Sequence, residues 1–259
     1  MKFWAYLKKE FEIELSYKTS FVMKYVSILS SAIIYFFISK IVKTDYIKIN
    51  YFMYVIIGAG SFSFLRNVMT AASNAIRREE LEGTFEWMYS ALGGIFKFSL
   101  FSTLAKSAIA FIDLIFYVVA VPIIFGQKIY LHYILSLLLL LLLLALFFFA
   151  LGLLSTAYLL CFKKGNPLNW FVSFFFLAFG EVLFPKQVVP HFLQNLINWF
   201  PLSYFLGIIR STLTLNVISI DFQKLVLYLL ETLTLFFVSL FILKKAEKHA
   251  KKTGSFLYY

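Results

Sequence analysis

Long apolar segments separated by short polar ones dominate the chain, and they predict six membrane-spanning helices. The predicted spans cover residues 20–41, 51–75, 98–125, 131–161, 167–184 and 222–243. Each approaches or exceeds the roughly 20 residues that a helix needs to cross a hydrocarbon core of about 30 Å. The pattern as a whole predicts an all-α integral membrane protein with a single transmembrane domain over residues 1–259.

The residues before the first span mix aromatic, apolar and charged positions. Phe3, Leu7, Phe11 and Leu15 fall near helical spacing, with charged side chains between them. This pattern predicts an amphipathic helix over residues 1–18 that lies at the membrane interface. Such a helix suits both an anchor beside the membrane and a contact with a partner protein.

The second predicted span contains small and polar residues as well as apolar ones. Its earlier part carries Gly58 and Gly60, small residues that let helices approach closely. Its later part carries Arg66, Asn67 and Asn74, and polar side chains inside a membrane are costly unless protein or water surrounds them. We therefore expect this end of the span to face protein or water rather than lipid.

Composition supports the membrane assignment and narrows the chemistry. Of the 259 residues, 61% are hydrophobic and 14% are charged, and the mean hydropathy is +0.85, outside the range of soluble domains. A single cysteine, Cys161, excludes an internal disulfide and a cysteine metal cluster. Three histidines lie far apart in the sequence. We expect no metal site and no catalytic residues on this chain.

The net charge of +11 indicates membrane topology rather than nucleic-acid binding. With both termini inside, the predicted cytoplasmic flanks hold 14 of the 24 basic residues and the outer loops hold six. An excess of Lys and Arg on the cytoplasmic side is the usual bias of multi-pass proteins. It predicts cytoplasmic N- and C-termini, an inner or plasma membrane location and contacts with lipid headgroups.

A charged and aromatic segment, residues 77–92, interrupts the apolar pattern after the second span. Gly83 can adopt backbone angles that end a helix. Thr84 is a favourable N-cap for a new helix. We predict a short helix over residues 84–92 that lies parallel to the membrane on the cytoplasmic side.

The side chains of this short helix divide between two faces. Glu86 in its first turn suits the helix dipole. Phe85, Met88 and Tyr89 share one aromatic face. That face suits a cleft on a partner protein, whereas an amphipathic turn resting on lipid headgroups is the alternative interpretation.

Two motifs resemble those of the ABC-2 transporter family, the permeases of type-2 ABC exporters. The first motif, E-x-x-G-T-x-E followed by Trp and Met, consists of Glu80, Gly83, Thr84, Glu86, Trp87 and Met88. The second lies on the opposite side of the predicted membrane and includes Phe184, Pro185, Pro190 and the segment PLSYFLGIIR from Pro201 through Tyr204 to Arg210. Six spans, an interfacial N-terminal helix and a basic C-terminal tail also agree with this family.

Two positions depart from the family pattern. Before Pro190 the chain has Val188 and Val189 instead of the family's leucine. The other departure precedes the Phe-Pro pair. The family usually has glycine four residues before the proline of the Phe-Pro pair. Here Gly180 lies five residues before Pro185, and Glu181 occupies the usual glycine position.

The resemblance implies a permease driven by a separate motor. Two permease chains, identical or closely related, would form the pathway, and two cytosolic ABC ATPase subunits would hold the ATP and Mg; this chain would bind no cofactor. The ATPases would dock on a coupling helix through Glu80, Gly83, Thr84, Phe85, Glu86, Trp87, Met88 and Tyr89. Residues 188–200 would form a pair of short re-entrant helices that cap the pathway outside, in a gate region with Glu181, Phe184, Pro185, Pro190, Pro201, Tyr204 and Arg210.

Charged residues inside the predicted spans are further candidates. Lys106 and Asp113 lie seven residues apart on one helix face. One interpretation is that they mark a functional site. The alternative is that Lys106 extends toward the cytoplasm and Asp113 forms a hydrogen bond with a neighbouring helix. Glu181 suits a gate or a solvated cap, Glu231 suits a structural role, and Arg210 suits an outer anchor better than a substrate ligand.

We therefore predict the transmembrane permease subunit of an ATP-driven exporter. Phe outnumbers Trp and Tyr in the spans, which favours an amphipathic cargo such as a drug or lipid over a lipid-linked polysaccharide. A membrane-embedded lipid-modifying enzyme would need polar catalytic groups at one depth, whereas Asp113, Glu181 and Glu231 are predicted at different depths. A secondary transporter would need ion coupling and inverted repeats, and the sequence displays neither.

Overall fold

The computed structural model describes residues 2–42, 49–130, 132, 134–163, 166–218 and 220–253. These residues are mainly helical and include no β-strand. The helices are α1 (Lys2–Ser16), α2 (Lys18–Ile41), α3 (Tyr51–Leu81), α4 (Phe85–Leu92), α5 (Ile95–Ile115), α6 (Val121–Ile124), α7 (Ile134–Phe162), α8 (Pro167–Phe179), α9 (His191–Asn198), α10 (Pro201–Leu215) and α11 (Phe222–Lys252).

Five of these helical segments are long and apolar enough to cross a membrane. They are Lys18–Ile41, Tyr51–Leu81, Ile95–Ile124, Leu135–Phe162 and Phe222–Lys252. They confirm the all-α membrane architecture and correspond to the first four predicted spans and the last. The segment Ile95–Ile124 is continuous because a π-helical turn, Phe116–Ala120, joins α5 to α6. Pro122 lacks the N–H that would bond one turn back, which favours a local irregularity of this kind.

The predicted span 167–184 contains a shorter helix than its apolar sequence suggests. Helix α8 has 13 residues and ends at Phe179. At 1.5 Å per residue it extends about 20 Å, less than the hydrocarbon thickness. Gly180 and Glu181 follow it, and Glu181 has a left-handed backbone with φ of 55°. The count of six spans therefore stays a prediction.

Helix α3 is the centre of the bundle. It packs against α5 and α7, and α7 packs in turn against α11. In the most apolar part of α3, 72% of the residues are buried, compared with 11% in α2 and in α11. Among the five segments, α2 and α11 thus leave the most surface for contact with lipid or with other chains.

Close contact between α3 and α7 depends on Gly152. A methyl group added at Gly152 would lie 2.6 Å from the carbonyl oxygen of Met69, closer than atoms normally approach. Small residues at helix interfaces permit such backbone approach in membranes. The neighbouring Thr156 hydroxyl is bonded within α7, so the contact at Gly152 is one of backbone against backbone.

We expect Gly152→Ala to destabilise the protein by about 1–2 kcal/mol, because the added methyl group forces α7 away from α3. The measurement is the midpoint of thermal unfolding of the purified chain in detergent. Gly207→Ala is the matched control, since the methyl group added there meets no described side chain and no other helix within 4 Å. Equal midpoints for the two variants would contradict the close contact.

Candidate functional site

Helix α4 lies at the end of the bundle that also holds α1, and its borders follow from two glycine turns. Gly83, with φ of 70°, separates α4 from α3, and Gly93, with φ of 79°, ends α4. The predicted helix over residues 84–92 is Phe85–Leu92 in the structure. Thr84 occupies the N-cap position, but its hydroxyl donates a hydrogen bond of 2.6 Å to the carboxylate of Glu79 and does not cap the helix.

The aromatic face of α4 packs on the chain's own bundle. Phe85 and Leu92 are buried, and Met88 and Tyr89 are half-buried against the core. The ring of Phe85 lies 5.9 Å from the ring of Phe98 on α5. The spacing of these four residues of α4 is typical of a helix face that packs inward, and this signal was present in the sequence.

The outer face of α4 consists of Glu86, Trp87 and Ser90. All three are exposed, and the Trp87 side chain is 81% exposed. A large, exposed indole on a short and firmly packed helix is typical of an anchor for a partner protein.

A cluster around Glu79 joins α1, α3 and α4. The Glu79 residue is fully buried. Its carboxylate accepts hydrogen bonds from Lys9 Nζ at 2.5 Å and from the Thr84 hydroxyl, and Arg78 Nη2 lies 3.6 Å away. Arg78 also pairs with Glu10 on α1. Together these bonds fix α1 against the junction between α3 and α4.

Glu80, the first residue of the E-x-x-G-T-x-E motif, faces inward as well. Its carboxylate pairs with Lys163 Nζ at 3.2 Å, and its side chain is 4% exposed. Lys163 follows the last residue of α7, so this pair ties α7 to the end of α3. We assign Glu80 a structural position rather than a surface one.

The C-terminal part of α11 also contacts α4. The Tyr89 hydroxyl donates a hydrogen bond of 2.5 Å to Glu247, and Glu247 pairs with Lys251 at 3.2 Å. Burial and the hydrogen bond to Glu247 raise the pKa of the Tyr89 hydroxyl, which therefore stays protonated as the donor. Helix α4 thus has direct bonds to the extension of α11 in addition to its packing on α5.

Lys106 and Asp113 belong to a charge network between helices. Glu14 on α1 accepts hydrogen bonds from Lys24 at 3.0 Å and from Lys106 at 2.9 Å. Lys24 reaches Asp113 at 3.0 Å, and the Tyr25 hydroxyl donates to the same carboxylate at 3.1 Å. Burial opposes ionisation of Glu14, but the bonds from the two lysines outweigh it and lower the pKa of Glu14.

Arg210 organises the opposite end of the bundle. It lies in α10, is 4% exposed, and stacks on the ring of Tyr54 with 3.5 Å between its central carbon and the ring centre. Its Nε donates to the carbonyl oxygen of Tyr54 at 3.0 Å. Its Nη2 donates to the carbonyl oxygens of Glu181 at 2.8 Å and Val182 at 3.0 Å. One buried guanidinium thus holds α3, α10 and the turn after α8 together.

Sequence comparison shows which family this arrangement belongs to. The model of the ABC-2 type transporter family matches residues 1–214. The match covers more than four fifths of the chain and includes both α4 and Arg210.

The chain belongs to the ABC-2 type transporter family.

This confirms the resemblance inferred from the two motifs. No curated protein sequence matches the chain. Membership of the ABC-2 family makes the chain the membrane component of an ABC transporter and not its catalytic subunit. It also implies association with an ABC ATPase.

The ABC-2 pattern explains the backbone at Glu181. The family usually has glycine at this position, and in this chain Glu181 adopts the left-handed φ of 55° that glycine reaches without strain. The Glu181 carboxylate accepts a hydrogen bond of 2.7 Å from the backbone N–H of Lys186. This bond offsets part of the strain, and it directs the side chain back onto its own loop.

The residues predicted to form the gate region divide between buried and exposed positions. Pro185 and Pro201 are buried, whereas Phe184 and Pro190 are exposed. The Tyr204 hydroxyl bonds both backbone groups of Asp221, donating to the oxygen at 2.8 Å and accepting from the nitrogen at 2.9 Å. The segment 188–200, predicted to form a pair of short re-entrant helices, holds one α-helix, α9; the next helix, α10, begins after it at Pro201.

The three acidic residues predicted to lie inside the membrane have different surroundings. Asp113 belongs to the network with α1 and α2, and Glu181 lies beside Arg210. Glu231 on α11 lines a cavity of about 540 Å³ between α7, α8 and α11, and its carboxylate makes no bond with a described residue. They do not form the single cluster that an acid–base catalyst would need.

Proposed function

We propose that this chain is the transmembrane permease of an ATP-driven ABC exporter that moves an amphipathic cargo out of the cytoplasm or the inner leaflet. Two copies of the chain, or one copy and a close relative, form the pathway. Two cytosolic ATPases, which hold the ATP and Mg, dock on α4. Both termini are cytoplasmic, and α8 with the re-entrant pair α9 and α10 completes a six-span topology.

The observation that carries this proposal is the outer face of α4. Trp87 stands almost fully exposed on a helix whose opposite face is packed in the bundle. Aromatic side chains of this kind are frequent energetic anchors in protein interfaces. Glu86 beside it contributes a charge that can set the register of a partner surface.

Force applied to α4 has defined routes into the spans. The Glu79 cluster connects α4 to α1 and α3, and the Tyr89–Glu247 bond connects it to α11. Gly83 and Gly93 bound α4 with turns that allow it to tilt as one piece. Closure of the two ATPases would therefore rock the long helices and alternate the access of the pathway.

The apolar character of the bundle supports an amphipathic cargo. A cavity of about 500 Å³ lies between α3, α5, α7 and α11 and is lined mainly by Phe and Leu side chains. Cavities of this size and lining suit apolar parts of small molecules.

Co-purification with the ATPase tests the proposal. The affinity-tagged chain is extracted from its native membranes as wild type and as Trp87→Ala, and the bound ATPase is quantified. We expect an ABC ATPase to accompany the wild type, and its retention by Trp87→Ala to fall roughly thirtyfold, since anchor residues contribute about 2 kcal/mol or more.

The matched control is Trp199→Ala. Trp199 follows α9 at the other end of the bundle and is 75% exposed, so its loss removes an equally exposed indole. It is expected to retain the ATPase. Equal retention by Trp87→Ala and the wild type would exclude the outer face of α4 as the docking surface. If no ATPase accompanies the folded wild-type chain, the proposal of an ATP-driven exporter is wrong.

A further inference from the structure

A polar groove runs between α3 and α8 in the part of the chain that the structure describes. It encloses about 440 Å³, and its principal lining residues are Arg66, Asn67, Arg77, Asn169, Trp170 and Ser173. Helix α4 and the Arg210 cluster contribute none of these residues, although Arg77 lies near the start of α4. We name this surface the polar groove.

Arg66 lies too deep in the membrane to be a simple surface charge. It is midway along α3, at least about 22 Å from either end of that helix, and it falls within the predicted span 51–75. Its side chain is exposed, and it makes no ion pair with a described residue. A cation facing lipid at this depth is costly, so the groove must hold water, a partner or an anionic ligand.

Two buried polar atoms in the groove also lack partners among the described residues. Asn169 and Ser173 are each 8% exposed, and the Asn169 Oδ1 and Ser173 Oγ atoms make no hydrogen bond. The amide nitrogen of Asn169 is already used, because it donates to Ser73 Oγ at 2.9 Å. Buried polar atoms are seldom left unsatisfied, so these two indicate a polar occupant of the groove.

The α8 side of the groove adds an aromatic wall. The Trp170 side chain is 71% exposed, and its ring stacks on Phe174 with 5.8 Å between the ring centres and an angle of 11° between the planes. Trp170 lines the groove opposite the cations of α3, and Phe174 extends its aromatic surface along α8. This combination suits a molecule with one charged part and one apolar part.

The spacing of the two arginines indicates successive positions rather than one clamp. Arg66 and Arg77 are three helical turns apart on the same face of α3, which separates them by about 16 Å along the axis. One phosphate cannot bond both guanidinium groups across that distance. An anionic group that moves along the groove would meet Arg77 near the α4 end and Arg66 at mid-membrane.

We propose that the polar groove binds a phosphate-bearing amphiphile, with the anionic group on Arg77 and then Arg66 and the apolar part along Trp170 and Phe174. Arginine suits this role because its planar guanidinium bonds phosphate oxygens in pairs and keeps its charge in an apolar setting. The inference rests on the proposed exporter function and names the class of its cargo.

Direct binding to the purified full-length chain tests this inference. The chain is placed in phosphatidylcholine nanodiscs, and saturable binding of radiolabelled dodecyl phosphate is measured. Inorganic phosphate and dodecanol serve as competitors, the first with the anionic group and no apolar chain, the second with the apolar chain and no charge. We expect unlabelled dodecyl phosphate to compete and the two partial probes to fail.

The variant with Arg66→Gln and Arg77→Gln is expected to bind dodecyl phosphate roughly tenfold to a hundredfold more weakly, as the loss of charge-assisted hydrogen bonds predicts. The control, Lys244→Gln with Lys248→Gln, removes two exposed charges on α11 and is expected to bind as the wild type does. Unchanged binding by the arginine variant, or equal loss in the control, would overturn the inference. If inorganic phosphate competes as strongly as unlabelled dodecyl phosphate, the groove binds a free anion and not an amphiphile.

A charge-retaining variant separates charge from folding. Arg66→Lys with Arg77→Lys keeps the charges but not the paired donors, so its binding should lie between that of the wild type and that of the glutamine variant. A loss as complete as that of the glutamine variant would contradict recognition by charge. The assay contains no ATPase, so its failure is distinguishable from failure of docking on α4. If an ATPase docks on α4 but dodecyl phosphate does not bind the groove, the proposed exporter function stands and the proposed class of cargo is wrong.

Discussion

Arg210→Leu is expected to be the most destabilising single change in this protein, at about 3–5 kcal/mol. Leucine supplies none of the donors that the carbonyl oxygens of Tyr54, Glu181 and Val182 now accept from, and these oxygens lie in the interior around Arg210. Each charge-assisted bond of this kind contributes more than a neutral one, and unsatisfied buried acceptors cost further free energy. Stacking on the Tyr54 ring is lost as well.

The space around Arg210 is too tight for a different side chain to take its place well. Gly58 on α3 lies against the guanidinium, since a methyl group added there would be 2.4 Å from Arg210 Nη2 and 2.4 Å from the Val182 carbonyl oxygen. The site is thus shaped for the flat arginine head. Arg210→Lys keeps the charge but has neither the fork of donors nor the planar stacking, so we expect only partial recovery.

Thermal unfolding in detergent measures this effect, and a loss of about 4 kcal/mol corresponds to a midpoint lower by about 10 °C. Arg77→Leu is the control, because that side chain is exposed and makes no ion pair with a described residue. It should change stability by less than about 0.5 kcal/mol. If both leucine variants unfold at the wild-type temperature, Arg210 is not the organising residue of its end of the bundle.

Glu79→Gln is expected to have the second-largest effect, a loss of about 2–3 kcal/mol. The amide cannot neutralise Lys9 and Arg78, and the bond from the Thr84 hydroxyl becomes a neutral one. Breaking a fully buried ion pair costs more than this. Here the cost is lower, because the Lys9 and Arg78 side chains are about a third exposed and Arg78 keeps Glu10.

The Glu79→Gln variant also distinguishes docking of the ATPase from transmission of its movement to the spans. The outer face of α4 with Trp87 is unaltered in Glu79→Gln, so the ATPase should remain bound. The bonds that join α1 to the junction of α3 and α4 are weakened, so ATP-driven transport should fall while docking persists. Quantified co-purification and transport by the same preparation measure the two effects together.

Glu12→Gln is the control for this prediction. Glu12 lies on the exposed side of α1 and pairs with Lys8 at 3.7 Å. Exposed pairs of this type contribute less than about 1 kcal/mol, so neither stability nor transport should change measurably. Transport by Glu79→Gln at the wild-type rate would show that force reaches the spans without the Glu79 cluster.

Much of the secondary structure could be predicted, because helix formation in a membrane depends on local composition. The interfacial helix predicted over residues 1–18 is Lys2–Ser16, and the short helix predicted over 84–92 is Phe85–Leu92. The turn at Gly83 has the left-handed backbone for which glycine is suited. Apolar length and glycine chemistry are properties that a single segment carries by itself.

The end of α8 shows where that reasoning stops. The sequence stays mostly apolar as far as Phe184, so hydropathy extends the span to that residue, whereas the helix ends at Phe179. The chain turns there because Arg210, 29 residues later, takes the carbonyl oxygen of Glu181 as an acceptor. A hydropathy pattern reports which residues avoid water, and it does not report which distant donor a carbonyl group will meet.

The sequence by itself determined that this protein is an all-α membrane chain of the ABC-2 family with a short helix after its second span. Tertiary structure alone decided which side of that helix faces out, because Phe85 finds Phe98 of α5 while Trp87 finds no such neighbour among the described residues. It also decided that Lys106 and Asp113 are joined through Glu14 and Lys24. Partners of charged and aromatic side chains come from helices far apart in sequence, and only the packed bundle brings them within bonding distance.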